Sequence, residues 1–268
     1  MIDQGKRNVL GVLVDAIDYE AATTKVISAA HHRQPLALTA LAVHGVMTGV
    51  EDPAHGARLN SFDVVTPDGQ PVRWGLNLLH GANLADRVYG PELTLRVLAR
   101  CAAEGLPVYL YGSTDETLTR LTVALRDQFP DLKIAGLESS KFRAAAAGEP
   151  AEIAERVTAS GAQLLLVGLG CPRQEIFTHA MRPLLRMPIM AVGAAFDYHA
   201  GQLRKPPSWM QKRGLEWLWR LGLEPKRLWR RYLILNPAYV ARLTAQKTGL
   251  WKATPATPTA APADTFAV

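Results

Sequence analysis

A carboxylate follows directly after a short apolar run in the segment VVTPDG, residues 64–69. A carboxylate held at the end of a buried strand can take a proton from an attacking hydroxyl group, which is general base catalysis. Asp is also a good N-cap residue, and a helical pattern begins near Gln70, so Asp68 could instead cap that helix. Position alone leaves both roles open.

Two glycine-bearing turns could bind an anion. The segment GLGCPRQE, residues 168–175, follows a predicted strand and opens a predicted helix. Gly168 and Gly170 would allow close backbone approach, helix N–H groups would face a phosphate, and Gln174 could hydrogen-bond a base or sugar. Arg173 replaces the third glycine of a dinucleotide fingerprint. Gly112, in Tyr-Gly-Ser, offers a second such turn, and both segments could also be plain tight turns.

Few other polar residues are candidates for a substrate or metal site. Arg87 suits either a surface ion pair or a diphosphate ligand. The seven histidines have no metal-ligand spacing, and no Asp-x-Asp pair occurs beside a possible diphosphate site, so we expect neither a metal nor another cofactor. Cys101 and Cys171 lie far apart in the chain and are expected to be buried small residues rather than a disulfide.

Short apolar runs alternate with longer stretches of helical period from residue 9 to about 200. The runs predict strands at Val9–Val14, Leu36–Thr39, Phe62–Thr66, Pro107–Tyr111, Leu132–Ala135, Gln163–Val167 and Pro188–Val192. The longer stretches predict helices at Gln70–Leu79, Pro91–Glu104, Asp115–Phe129, Glu149–Ser160 and Arg173–Leu185. Apolar strands separated by helices indicate an α/β fold with a doubly wound, mainly parallel, Rossmann-like sheet. Ligands bind such sheets at the carboxyl ends of the strands, where Asp68, Gly112 and Gly168 lie.

The basic charge is concentrated late in the chain. Residues 201–252 carry 12 Lys and Arg but only two acids, Glu216 and Glu224, together with five of the six tryptophans. Cationic charge and indole rings suit an anionic surface with an apolar boundary. We therefore predict an α/β catalytic domain at 1–200, a basic, Trp-rich helical appendage that docks on membranes at 201–251, and a disordered Pro-, Ala- and Thr-rich tail at 252–268.

Hydropathy indicates where the protein acts. No apolar run approaches the roughly 18 residues that a transmembrane helix requires. The N-terminal segment lacks the apolar core and cleavage site of a signal peptide. We expect a cytoplasmic protein that is peripheral at the inner face of the cell membrane.

Longer motifs occur in order along the chain. They are VGAAFDYHAG at 192–201, RKP at 204–206, GLEW at 214–217, EPKRLWRRY at 224–232, the PDG at Pro67 and the GxGxPxQE pattern at Gly168. This set resembles the WecG/TagA/CpsF glycosyltransferase family over about residues 9 to 240. The resemblance implies inverting transfer of a sugar from a UDP-sugar to an undecaprenyl-diphosphate-linked acceptor, during assembly of bacterial surface polysaccharides. The donor sugar could be glucose, N-acetylmannosamine or a uronic acid.

The resemblance also assigns roles to residues. Asp68 would be the catalytic base, and Thr39 would lie near it in the substrate pocket. Substrate-binding positions would be Arg87, Gln174 and Glu175, together with the turns at Gly112, Gly168 and Gly170. Arginines of the C-terminal segment, namely Arg227, Arg230 and Arg231, would contact the lipid-linked diphosphate. The family pattern Thr-x-Asn reads Thr-Ala-Leu here, with Leu41 at the Asn position.

Two rival functions remain. A non-catalytic nucleotide- or nucleic-acid-binding protein would use the basic tail to hold phosphates, whereas the glycosyltransferase hypothesis predicts no nucleic-acid partner. A nucleotide-sugar epimerase or dehydrogenase would need a dinucleotide fingerprint and a Tyr-x-x-x-Lys pair, and the chain lacks both.

Overall fold

The computed structural model describes residues 1–204, 206–207, 209–210 and 213–257, without the side chains of Arg227 and Arg231. Six parallel strands form one sheet: β3 (Leu36–Leu41), β4 (Val64–Pro67), β5 (Val108–Tyr111), β6 (Ile134–Glu138), β7 (Leu164–Val167) and β8 (Pro188–Ala191). Their order across the sheet is β4-β3-β8-β7-β5-β6. The predicted doubly wound α/β class is confirmed.

Helices cover the sheet on both faces. Those of the α/β body are α1 (Tyr19–His31), α2 (Val43–Glu51), α3 (Pro53–Asn60), α4 (Gln70–His80), α5 (Gly90–Glu104), α6 (Asp115–Gln128), α7 (Glu149–Ala159), α8 (Arg173–Met181) and α9 (Ala195–His199). Alternate side chains of each strand serve opposite faces. On β7, for example, Leu164 and Leu166 join the cluster packed by α1, α5 and α6, whereas Leu165 and Val167 join the cluster packed by α7 and α8.

The N-terminal region differs from its prediction. The single strand predicted at Val9–Val14 is wrong, because the chain reverses at Leu10 and Gly11, which both have positive φ. The result is an antiparallel hairpin of β1 (Asp3–Val9) and β2 (Val12–Ile17). The carboxylate of Asp15 accepts a hydrogen bond from the Val65 N–H at 2.7 Å and so ties the hairpin to β4. Helices α1, α2 and α3 were not predicted from the sequence.

The C-terminal segment, residues 213–248, is helical and packs on the α/β body. It contains α10 (Glu216–Leu223), α11 (Pro225–Arg230), a π-helical turn (Arg231–Leu235) and α12 (Asn236–Thr248). On α12, Tyr239 and Leu243 are buried in the same apolar cluster as the hairpin and α4. The Tyr239 hydroxyl donates to the Pro71 carbonyl at 3.1 Å. The last helix is therefore part of the core of the body.

Residues just beyond α12 also contact the body. The Asn8 side chain donates to the Ala253 carbonyl at 2.6 Å, and the Asn60 side chain donates to the Ala256 carbonyl at 3.0 Å. The predicted tail thus begins with residues that are held against the hairpin and α3, and residues 258–268 lie outside the described part of the chain. The domain boundaries at residues 200 and 251 stay predictions.

Contact between α4 and α12 can be tested at Gly75. A Cβ atom at this position would lie 2.6 Å from the Tyr239 hydroxyl oxygen, so Gly75→Ala must displace either the Tyr239 side chain or α12 itself. We expect the free energy of unfolding to fall by about 1 to 3 kcal/mol, measured by urea denaturation. The control is Gly222→Ala on α10, where a Cβ atom would have no neighbour within 4 Å. If both variants raised the free energy of unfolding by the same amount, the close packing of α4 against α12 would be contradicted.

Candidate active site

A cleft of about 620 Å³ lies at the carboxyl ends of the parallel strands, as the sheet topology predicts. Leu41, Asp68, Gly168 and Val192 line it from the ends of β3, β4, β7 and β8. Helices of the C-terminal segment supply another part of its wall. The site is therefore built jointly by the α/β body and the C-terminal segment.

Asp68 faces this cleft from the end of β4. Its Oδ1 atom accepts a hydrogen bond from the Gly90 N–H at 2.8 Å. The N-cap position of α4 belongs to Gly69, and no side chain caps that helix. Burial raises the pKa of the Asp68 carboxyl group to about 6, while the nearby Arg87 guanidinium limits the rise. Asp68 is thus a cleft-facing carboxylate of unusual basicity, and the helix-cap alternative does not apply.

Arg87 lies in the same cleft and is largely buried. Its Nη2 atom is 2.5 Å from the Glu216 Oε2 atom, and its side chain is 10% exposed. The guanidinium carbon lies 4.3 Å from the centre of the Tyr89 ring. Arg87 therefore forms an ion pair, but inside the cleft and not on the open surface.

The turn after β7 contains two glycines, one required by the lack of space for a side chain and the other by its positive φ. A Cβ atom on Gly168 would lie 2.5 Å from the Phe196 ring, and Gly170 has a φ of 74°. Both glycines line the cleft, directly before α8. Gly112 lies behind them, because a Cβ atom there would contact the Gly168 backbone at 3.1 Å. The Gly112 turn therefore supports the Gly168 turn, and its neighbour Ser113 lines the cleft.

A buried hydrogen-bonded group joins β3 to α8. The Thr39 hydroxyl and the Gln174 amide both donate to Glu175 Oε1 at 2.9 Å. Gln174 and Glu175 line the cleft, whereas Thr39 is fully buried behind them. Burial raises the pKa of Glu175, against the hydrogen bonds from Gln174 and Thr39, which lower it. Thr39 is thus not a lining residue itself, but it holds the carboxylate of Glu175, which is one. Leu41, at the family's Asn position, is also a lining residue.

The C-terminal segment contributes side chains that were not among the predicted site residues. They include Glu216, Trp217, Arg220 and Tyr232. The available signal was the presence of Glu216 as one of only two acids in a strongly basic stretch. Of the arginines predicted to contact the substrate, Arg230 is exposed, and the side chains of Arg227 and Arg231 lie outside the description.

One group of possible metal ligands occurs among the described residues. Ligand atoms of His55, Cys171 and Glu175 lie within 4.8 Å of one another. Arg58 Nη1 is 3.0 Å from the His55 Nδ1 atom. A guanidinium cation at this distance opposes the binding of a second cation, so the group does not favour a metal site.

Comparison with known proteins identifies the class to which this fold and cleft belong. The model of the WecG/TagA/CpsF glycosyl transferase family matches residues 7–253, which include the sheet, the cleft and the C-terminal segment. The protein is therefore a glycosyltransferase and belongs to the WecG/TagA/CpsF family. This membership confirms the predicted enzyme class and argues against a non-catalytic binding protein.

A curated relative makes the comparison more specific. The chain is similar to an N-acetylglucosaminyldiphosphoundecaprenol N-acetyl-beta-D-mannosaminyltransferase from Bacillus spizizenii strain W23. The two are 30% identical over 192 residues, which are 71% of this chain and 72% of the relative.

The raised pKa of Asp68 predicts a stability effect of Asp68→Asn. The pKa of Asp68 is about 6 in the folded protein, compared with an ordinary value of 3.8. The ionised carboxylate therefore destabilises the fold at pH values above about 6. Asn carries no charge, and we expect the variant at pH 8 to be more stable by on the order of 1 to 3 kcal/mol. The gain should shrink as pH falls towards 4. Thermal unfolding across this range measures it.

The control for this measurement is Asp131→Asn, which changes an exposed carboxylate. It should leave stability nearly unchanged at both pH values. A loss of stability in Asp68→Asn at pH 8 would contradict a destabilising buried charge.

Proposed function

We propose that this glycosyltransferase moves a hexose-type sugar from a UDP-sugar to an undecaprenyl-diphosphate-linked saccharide, with inversion at the anomeric carbon. The product would serve exopolysaccharide or other cell-surface polysaccharide synthesis. The observation that carries the proposal is Asp68, a cleft-facing carboxyl group with a pKa of about 6, beside the guanidinium of Arg87. A base next to a phosphate-binding cation is what displacement of a nucleoside diphosphate requires.

The relative's name favours one donor sugar. Among glucose, N-acetylmannosamine and a uronic acid, the mannosaminyl group in that name supports N-acetylmannosamine. The same name supports an N-acetylglucosaminyl-diphosphoundecaprenol acceptor. The donor's UDP would lie along the Gly168 turn and the start of α8, where backbone N–H groups favour an anion. Gln174 would contact the base or sugar, because its side chain borders the cleft and Glu175 fixes its amide.

The chemical step is a single displacement. The acceptor hydroxyl attacks the anomeric carbon while Asp68 takes its proton, and the bond between that carbon and the diphosphate oxygen breaks. Attack from the face opposite the leaving UDP inverts the anomeric configuration. A base pKa near 6 leaves Asp68 ionised at neutral pH and more basic than an ordinary carboxylate.

The leaving diphosphate gains negative charge in the transition state. Arg87 and the N-terminal turn of α8 would stabilise that charge, and Arg220 would add a second cation from the C-terminal segment. The guanidinium of Arg87 is already held in place by Glu216 and Tyr89. Little reorganisation is then needed when the donor binds.

Membrane contact would occur through exposed apolar side chains of the C-terminal segment. None of the helices in the described part of the chain is long and apolar enough to span a bilayer. We define the docking surface as a set of side chains that are each about half exposed: Leu218, Leu223, Trp229, Leu233, Ile234 and Val240. Nearby Lys226 and Arg230 are exposed cations that suit anionic lipids. The protein would bind peripherally, at the inner face of the cell membrane.

Asp68→Asn should abolish most sugar transfer. Without a base, we expect kcat to fall by about 10²- to 10⁴-fold. The assay measures UDP released from a panel of UDP-sugars in the presence of a polyprenyl-diphosphate-N-acetylglucosamine acceptor. Asp131→Asn is the matched control and should retain full activity. Near-wild-type transfer by Asp68→Asn would show that another group is the base.

Membrane binding can be tested without truncating the core helix α12. Trp229 and Leu233 lie four positions apart on helical backbone, so they share a face. Replacing both by Ser should weaken flotation with phosphatidylglycerol vesicles at least about tenfold, because burial of each contributes 1.5 kcal/mol or more.

The control replaces Val123 and Leu137 by Ser, since both are exposed apolar residues outside the C-terminal segment. This variant should float like the wild type. Equal flotation of the two double variants would contradict the docking surface.

A further inference from the structure

Glu216 is an acidic residue in the cleft that takes no part in the bond changes of the proposed mechanism. Its side chain is only 12% exposed, and its carboxylate lies 2.5 Å from Arg87 Nη2. A carboxylate in a cleft that binds a diphosphate repels the substrate. Its presence at this position therefore calls for a compensating role.

The first contribution of Glu216 is to the geometry of Arg87. The carboxylate holds Nη2, and the Tyr89 ring lies against the guanidinium with its centre 4.3 Å away. The Arg87 backbone N–H also donates to the Asp86 carboxylate at 2.8 Å. An arginine has five N–H donors, so the hydrogen bond through Nη2 leaves Nη1 and Nε for a phosphate oxygen. Glu216 thus fixes the guanidinium without using all of its donors.

This support comes from a distant part of the chain. Glu216 begins α10, 129 positions after Arg87. Two contacts help to place α10 against the body: the Trp219 indole N–H donates to the Arg204 carbonyl at 3.2 Å, and the Arg220 guanidinium lies 5.9 Å from the Tyr198 ring centre. The orientation of Arg87 therefore depends on the docking of α10.

The second contribution is to the charge around Asp68. Arg87 and Arg220 lower the pKa of Asp68, whereas Glu216 raises it. The other titratable groups that border the cleft or interact with Asp68 are Tyr19, His44, Tyr89, Cys171, Arg173, Glu175, Asp197, Tyr198 and Tyr232. Without Glu216, two arginines would act on Asp68 with less opposing charge, and Asp68 would be a weaker base.

We propose that Glu216 is a positioning residue for sugar transfer. It holds Arg87 in the orientation that receives the diphosphate, and it offsets the positive charge that faces Asp68. The inference rests on the proposed roles of Asp68 and Arg87. It gives the C-terminal segment a part in the reaction in addition to membrane contact.

Two substitutions separate these contributions in the full-length chain. Glu216→Gln keeps the shape and removes the charge, so kcat should fall by about ten- to a hundredfold and the acidic limb of the kcat profile should move to lower pH. Glu216→Asp keeps the charge but shortens the reach to Arg87. It should lower kcat and leave the acidic limb near its wild-type position, which a merely structural defect in both variants would not produce.

The charge-matched control is Glu116→Gln, which removes an exposed carboxylate paired with Arg120 on α6. It should match the wild type in kcat and in pH profile. Thermal unfolding of all variants verifies that they are folded.

A second readout does not need activity. Carbon-13 NMR titration of the Asp68 carboxyl group, assigned with Asp68→Asn, should give a lower pKa in Glu216→Gln than in the wild type. An unchanged titration, or a wild-type kcat and acidic limb in Glu216→Gln, would overturn the inference. If the wild type transfers no sugar, the proposed function fails instead, and the titration still decides whether Glu216 acts on Asp68.

Discussion

Burial of the Asp68 carboxyl group among opposing charges is the interaction on which the proposed chemistry of this cleft depends. Burial disfavours the ionised carboxylate and raises its pKa, whereas the nearby arginines favour it and lower the pKa. Arg87 lowers its pKa and Glu216 raises it, so that the result lies at about 6. Arg87 and Glu216 come from different parts of the chain, and their ion pair joins the α/β body to the C-terminal segment inside the cleft.

The fold supplies this arrangement through two features. Parallel strands bring Asp68 and the Gly168 turn to one edge of the sheet, although they lie far apart in the chain. The C-terminal segment is then held over that edge because Tyr239 of its last helix is buried in the core beside α4. In the proposed function the same segment carries the docking surface, so membrane contact and completion of the cleft would depend on one structural unit.

The sequence predicted the sheet well because buried parallel strands read as continuous apolar runs, and strand ends then indicated Asp68, Gly168 and Gln174. It failed where long-range contacts decide the outcome. The apolar run around Leu10 hides a reversal that becomes visible only through positive φ. The family resemblance placed Thr39 in the substrate pocket, and the sequence did not show that its buried hydroxyl donates to Glu175. No local pattern could pair Glu216 with a residue 129 positions earlier.

The most direct test of the account is the pH dependence of kcat/KM for sugar transfer by the wild-type protein, which reports the ionisation of the free enzyme. Measured with the donor and the lipid-linked acceptor both well below saturation, between pH 4.5 and 9, it should rise along a single acidic limb with a midpoint near the Asp68 pKa of about 6 and then level off. A profile that is already flat through this range, or that rises only at alkaline pH, would contradict a buried aspartate acting as the base.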